Sequence, residues 1–341
     1  MAPINVAALQ RAAEKYDPLL RKLPFLDLNE VLANLEINLK EVTYKDTIIQ
    51  FQRKSGSSKP YVAGIIDYTT EIGKMVERSL IVLPCYNAIK DHIKNYSDKA
   101  VLNPAGDKVD NQTKKHPLEQ LILETQVRTI GEDIVDGLFH GERDTNDKSP
   151  LGMVDGIYTM IAAEIAATTI SVANGNYATS GALSAPVNSD TVALDRLVTW
   201  LRSANRMLLK DAVLYIAPDA LDNVQDALEN KMINKPADVF TALEKYLQNK
   251  VRAPKLRLLS HEAMGAGSQL ILAKPRNIDL GMNTKGDNEF LQVRAPFEDP
   301  NYVQFWSQWE LGARLNSLHA KEFFCNEQTN TPSELSGDYT S

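Results

Sequence analysis

Histidine and cysteine side chains, which are well suited to bind a metal ion, are not clustered in this sequence. No two of its five histidines have the HxxxH or HExxH spacing of a zinc site. They are His92, His116, His140, His261 and His319. Cys85 and Cys325 are the only thiols, and they form no CxxC pair. The sequence therefore predicts neither a metal site nor a disulfide framework.

Acidic residues crowd one predicted helix, where they could do acid–base or metal chemistry. They are Glu124, Glu132, Asp133 and Asp136. A di-iron bundle needs ExxH pairs, and His140 follows Asp136 by four residues, so a solvated helix face is the simpler interpretation. The sequence also lacks a Walker-type phosphate loop and a GxSxG elbow. We predict no catalytic, cofactor-binding or metal-binding residues, although a triad that meets only in the folded chain leaves an α+β enzyme as an alternative.

Composition indicates an ordinary globular chain. It has 341 residues, of which 43% are hydrophobic and 24% charged, enough for a large core and two domains. The net charge of −7 has the wrong sign for broad contact with phosphate backbones, so we expect no sequence-specific nucleic-acid binding. Charged residues interrupt every apolar stretch well before the ~20 residues of a membrane span, so we expect no membrane partner.

One long amphipathic helix is predicted over residues 117–140, followed by a polar, glycine-containing loop. Apolar residues recur along it at spacings of three and four, which places one stripe on a rod about 36 Å long. The stripe consists of Leu123, Val127, Ile130, Ile134 and Leu138. Such a helix is a scaffold element.

A β-hairpin is predicted before this helix, because β-branched and aromatic residues alternate on both sides of a polar stretch. The tip of the hairpin has no apolar residue and cannot stabilise its own order by burial. Its residues are Arg53, Lys54, Ser55, Gly56, Ser57, Ser58, Lys59 and Pro60. A polar tip of this kind is useful mainly if a partner orders it, so we predict that these residues contact another subunit.

The other patterns complete an α+β chain. We predict a short helix over residues 85–96, a continuous helix over residues 191–211, and further helices from Asp219 and Pro236. Buried strands are predicted at LYIAP, at LRLLSHEAM and at SQLILAKPRNIDLGM. The aromatic residues near the end are predicted to be core, or an extended segment that packs both faces. They are Tyr302, Phe305, Trp306 and Trp309.

The order of these parts resembles the major capsid protein of tailed double-stranded DNA phages, the Hong Kong 97-type fold that encapsulin shells share. The likeness covers nearly the whole chain. It runs from an N-terminal arm through an extended loop to a spine helix that closes with LFHGERD, and then to DTVALDRLVTWLRSANRML, LYIAPDALDNVQDAL and the closing segment from NEFLQVRAPF onward. The resemblance implies the α+β capsid fold, with a long spine helix, an extended β-hairpin loop, and peripheral and axial domains.

The resemblance also implies boundaries and partners. The expected parts are an arm (1–33), an extended loop (34–75), a peripheral domain (76–210) that contains the spine helix, an axial domain (211–275), and a return to the peripheral domain with a tail (276–341). Implied partners are copies of the chain in pentamers and hexamers, a portal and, optionally, decoration proteins. Because an arm of 33 residues is too short for the fused scaffold domain of some relatives, the resemblance also implies either a separate scaffolding protein or prior proteolysis. The implied location is the virion capsid, assembled in the host bacterial cytoplasm.

Two alternatives stay open within this resemblance. An encapsulin-type compartment would use the same fold around an enzyme cargo. Some relatives also join subunits by an isopeptide bond from a loop lysine to an asparagine on another chain, a role open to Lys54 or Lys59. No asparagine or glutamate of this sequence can be matched to that reaction, so non-covalent contact is the simpler expectation.

Overall fold

A computed structural model describes residues 10–16, 28, 31–53, 73–92, 118–147, 149–187, 190–232, 237–283, 291–295 and 301–332. These residues form helices and strands in the predicted α+β mixture. The helices are α1 (Leu118–His140), α2 (Ile157–Ala166), α3 (Val192–Ser203), α4 (Arg206–Leu209), α5 (Pro218–Lys231) and α6 (Val239–Val251). Shorter helical segments lie at residues 10–16 and 31–34.

The strands fall into four sheets. In chain order they are β1 (Asn38–Glu41), β2 (Lys45–Arg53), β3 (Gly73–Ile81), β4 (Leu83–His92), β5 (Val213–Ile216), β6 (Arg257–Leu259), β7 (Ala266–Gly267), β8 (Leu270–Ala273), β9 (Ile278–Asn283), β10 (Leu291–Arg294), β11 (Tyr302–Leu315), β12 (Phe323–Cys325) and β13 (Asn330–Thr331). The five-stranded sheet has the order β1-β9-β11-β10, with β4 also paired to β11. The others are β12-β8-β5-β6, the pair β13-β7 and the pair β2-β3.

The long strand β11 organises the five-stranded sheet. One of its edges pairs antiparallel with β4, from Tyr302 opposite His92 to Leu311 opposite Leu83. Its other edge pairs first with β10 and then with β9. Strand β1 completes the sheet by pairing parallel to β9. Segments far apart in sequence are therefore held in one register by a single 14-residue strand.

The four-stranded sheet is buried on both faces and lies between two hydrophobic cores. In β5, Val213 and Tyr215 belong to the core that contains α1, while Leu214 and Ile216 belong to the core of α3, α5 and α6. Strands β8 and β12 alternate in the same way. Burial on both faces explains why these strands are continuous apolar runs in the sequence.

Helix α1 packs its predicted stripe into the first core. All five stripe residues are buried, and Ile130, near the middle, is 2% exposed. The sequence placed this helix correctly because apolar spacings of three and four recur over its whole length. The loop that follows is tight: a Cβ on Gly141 would lie 2.2 Å from the carbonyl oxygen of Val154. The Gly156 amide donates to the Gly141 oxygen at 2.8 Å, which sets the start of α2.

The helix predicted over residues 85–96 is wrong in its described part, because residues 85–92 belong to strand β4. Cys85 is buried, Asn87 and Ile89 are partly buried, and Tyr86 and Ala88 are exposed, a strand alternation. The spacing of four between Ile89 and Ile93 fits both periods. Pairing with β11 decided the outcome, since tertiary hydrogen bonds outweigh a weak local preference.

The helix predicted over residues 191–211 is divided in two. Helix α3 ends at Ser203, Ala204 adopts an extended conformation, and the Asn205 side chain accepts a hydrogen bond from the Met207 amide at 2.9 Å to cap α4. An asparagine that caps a new helix also ends the preceding one.

The predicted hairpin has its described strands at Lys45–Arg53 and Gly73–Ile81, so its second strand continues beyond residue 75. Strand β1 lies outside the hairpin and pairs with β9. The division into arm, extended loop, peripheral and axial domains stays a prediction.

The acidic face of α1 is less solvated than the sequence predicted. Burial raises the pKa of Asp133 to about 6, with smaller contributions from the charges of Asp136 and Glu132. Burial, followed by the charge of Glu132, also raises the pKa of Asp136. Partly buried carboxylates near one another destabilise the folded chain when all are ionised.

We predict that Ile130→Asp unfolds the subunit, because it places an unpaired carboxylate in the first core. The expected loss is about 4 kcal/mol or more of unfolding free energy. Urea denaturation followed by circular dichroism measures it. Thr125→Asp, at an exposed position of the same helix, should melt within a few degrees of wild type. A soluble Ile130→Asp chain with normal melting would show that the stripe is not core.

We predict that Asp133→Asn stabilises the folded chain at neutral pH. The pKa of Asp133 rises from 3.8 to about 6 on folding, so the folded state binds more protons within this window. Stability therefore falls as the pH rises from about 4 to 6. The variant should gain about 1 kcal/mol at pH 7.5, because solvent screens a partly exposed group, and nothing at pH 4. Urea midpoints at both pH values test this, with Asp226→Asn as the exposed control. An equal gain at both pH values would contradict it.

Candidate assembly surface

The hairpin of β2 and β3 is a two-stranded ribbon. Its antiparallel register runs from Lys45 opposite Ile81 to Arg53 opposite Gly73. Neither strand pairs with another strand among the described residues. A two-stranded ribbon has little core of its own, so each face must be covered by the body of the chain, by solvent or by a partner.

The outer face of this ribbon is exposed and carries four large apolar side chains beside the Lys45–Glu77 ion pair. Phe51 and Met75 lie directly opposite each other, with 53% and 71% of their surfaces exposed. Ile49, two residues before Phe51 on the same face, is 65% exposed, and Ile81 on β3 is also exposed. Large apolar side chains gathered on one exposed face mark a site of protein–protein contact.

The inner face rests on the body of the chain. Leu80 is fully buried and packs with Val42 and Val82. Beneath the ribbon, a Cβ on Gly312 would lie 2.1 Å from the Ile81 oxygen, and one on Gly281 would lie 2.8 Å from Leu80 Cδ2. Two glycines in neighbouring strands thus allow the ribbon to cross the five-stranded sheet in direct contact with it.

A buried ion pair lies under the base of the ribbon. Arg314 on β11 donates from Nη2 to Asp279 Oδ2 on β9 at 2.8 Å, and both side chains are almost fully buried. Arg314 also reaches Asp46 Oδ2 on β2 at 3.1 Å. Burial raises the pKa of Asp279, but hydrogen bonds from Lys40 and Arg314 outweigh it, so this pKa lies below its usual value. Asp279 therefore stays ionised and holds the guanidinium in place.

The aromatic residues near the end of the chain divide between two faces of β11, so they form no single pocket. Phe305 and Trp309 are buried in the first core. Trp306 points the other way and stacks on Tyr86 of β4, with ring centroids 5.2 Å apart. Tyr302, on the same face as Trp306, lies beneath the ammonium of Lys90. The prediction of an extended segment that packs both faces is confirmed.

Only the first of the predicted contact residues lies in the described part of the chain. Arg53 is the last residue of β2. The remaining predicted residues, Lys54, Ser55, Gly56, Ser57, Ser58, Lys59 and Pro60, lie outside the described part of the chain. Sequence reasoning missed the apolar face behind this tip. The signal was present, because Ile49 and Phe51 alternate with polar residues in β2.

The described histidines take structural positions. His92 packs edge-on against Tyr302, and His140 against Tyr158. His261 Nδ1 accepts from the Ala263 amide, and His319 Nδ1 accepts from the Lys321 amide. Within the described ranges, no group of three or more His, Cys, Asp or Glu side chains is placed to hold a metal ion. The described helices include none long and apolar enough to cross a membrane.

Comparison with known proteins gives a fold without close sequence relatives. No protein-family model matches the chain, and no curated protein does. The solved structure of the satellite phage P4 procapsid, which includes the size determination (Sid) protein, matches with a TM-score of 0.54 at 12% identity and covers 89% of each chain. The capsid of an empty GTA particle matches with a TM-score of 0.50 at 13% identity, over 86% of this chain and 94% of that one. The chain therefore has the α+β fold of phage capsid shell proteins, as the resemblance implied.

Proposed function

We propose that this chain is a major capsid protein, which assembles with copies of itself into the icosahedral head that encloses the double-stranded DNA of a tailed bacteriophage. The observation that carries the proposal is the capsid fold over 89% of the chain, combined with a ribbon whose outer face exposes large apolar side chains. A monomer gains nothing from exposing Phe51 and Met75 to water. A shell subunit covers them with a neighbour.

The role is structural rather than catalytic. Subunits of one sequence close a shell when a patch on each copy meets a different patch on the next, and the resulting rings are pentamers and hexamers. The ribbon supplies one such patch. From the sequence alone, we propose that residues 53–60 contact another subunit as well. A scaffolding protein, a portal and decoration proteins are further partners that we propose from the family resemblance alone.

The location proposed with this function is the virion capsid, with assembly in the host bacterial cytoplasm. The net charge of −7 accords with a wall that does not adhere to packaged DNA, since like charges repel at close range. Neighbouring genes for a terminase and a portal would agree with a phage head. A neighbouring gene for an enzyme cargo would instead indicate a compartment of the encapsulin type.

We expect the purified chain to form closed shells or capsomer rings. Negative-stain microscopy and sedimentation velocity, with the scaffolding protein co-expressed where its gene is known, measure this directly. A uniform monomer under all of these conditions would contradict the assembly function.

We predict that Phe51→Ser combined with Met75→Ser prevents assembly without unfolding the subunit. Both side chains are more than half exposed, so the unfolding free energy should change by less than about 0.5 kcal/mol. Particle yield, measured by sedimentation, should fall at least about tenfold, as is typical when central apolar contacts of an interface are lost.

The matched control for this variant is Met207→Ser, at an exposed methionine of α4, which should assemble normally. If the double variant forms particles at the wild-type yield, the ribbon face is not part of the interface between subunits.

A further inference from the structure

The ribbon is tied to the body by one charged group on each of its strands. On β2, Asp46 accepts a hydrogen bond from Arg314 Nη2 at 3.1 Å, and the Asp46 carbonyl oxygen accepts from Arg314 Nη1 at 2.9 Å. On β3, Arg78 donates from Nε to the Leu315 oxygen at 2.8 Å and forms an ion pair with Glu164 of α2. Both of these contacts, which we call ties, are made to the last two residues of β11.

In the first tie, the residue of the body that holds Asp46 is itself fixed in place. Arg314 is 3% exposed and is bound to Asp279, which is itself fully buried and also bound by Lys40 at 2.7 Å. The guanidinium also donates from Nε to Asn316 Oδ1 at 3.0 Å. Two partners fix the orientation of this planar group, so the direction in which it meets Asp46 is defined as well.

The second tie fixes the ribbon against a different element. Glu164 lies on α2, which follows the glycine loop after α1. An open cleft of about 500 Å³ lies between the ribbon base and α2, with Arg78, Glu164 and Met160 among its lining. Packing is therefore incomplete at this point, and the ion pair bridges the gap. Burial lowers the pKa of Arg78, Glu164 raises it, and the charge of Arg314 lowers it further, so the two like charges need their acidic partners.

We propose that Asp46, Arg78 and Glu164 are positioning residues for assembly. Together with Arg314 they set the direction in which the ribbon leaves the body, and this direction sets the angle between a subunit and the neighbour that covers its apolar face. The inference rests on the proposed shell function. Small errors in such an angle are repeated at every contact of a closed shell, so they change particle diameter or prevent closure.

The direct test measures ribbon orientation in the isolated subunit. Spin labels are attached to Lys74→Cys on the ribbon and Gln308→Cys on the body, both exposed, while the two native thiols are buried. Electron–electron resonance then gives the distribution of distances between the labels. The wild-type background should give one narrow distribution, and Asp46→Asn combined with Glu164→Gln should give a broader one.

Lys45→Gln is the matched control. It removes an ion pair between Lys45 and Glu77, which joins the two ribbon strands without reaching the body, so the distribution should stay narrow. An equally narrow distribution in the double variant overturns the inference. If the double variant unfolds at a low temperature, the distances are measured in the two single variants instead, because each of them keeps one tie intact.

Assembly provides the second measurement. The fraction of the double variant in particles of wild-type diameter should fall at least about fivefold, while its subunit melting stays within a few degrees of the Lys45→Gln control. Wild-type particles from a variant with a broadened distribution would show that ribbon direction does not guide assembly. If the wild-type chain itself forms no particles, the shell function fails, and the distance measurement still decides whether the ties position the ribbon.

Discussion

A two-stranded β-ribbon has little core of its own and depends on what covers its two faces, and this constraint explains much of the structure. The inner face is packed at its base, where Leu80 lies over Gly281, the Ile81 backbone lies over Gly312, and Arg314 donates to backbone oxygens of both strands. The outer face, with Phe51 and Met75, has no such cover among the described residues. The apolar surface left there makes contact with another copy energetically favourable.

The ribbon can hold an assembly surface in a fixed position only if the body beneath it is stiff. Stiffness comes from the four-stranded sheet, which places alternate residues of β5, β8 and β12 in two different cores and so joins them into one packed unit. Strand β11 extends this unit. It sends Phe305 and Trp309 into the core and ends with Arg314 under the ribbon. One continuous strand therefore connects the core to the ribbon and fixes the position of the ribbon.

The similarity to phage capsid structures at 12–13% identity is physically reasonable. A core tolerates extensive apolar substitution when its volume and pattern are kept, so a fold can persist while its sequence changes almost completely. The contacts between subunits can differ more from one shell to another, because the subunits of a shell need to be complementary only to each other.

Local pattern alone determined several features here: the α+β class, helix α1 with its buried stripe and the alternating strands of the hairpin. These can be predicted because periodicity is a property of neighbouring residues. Residues 85–92 were misjudged because an isoleucine spacing of four suits helix and strand equally, and only pairing with β11 selected the strand. The same limit applies to the assembly surface. Arg314 and Asp46 are 268 residues apart, and no local pattern predicts that contact, because the folded sheet alone brings the two charges together.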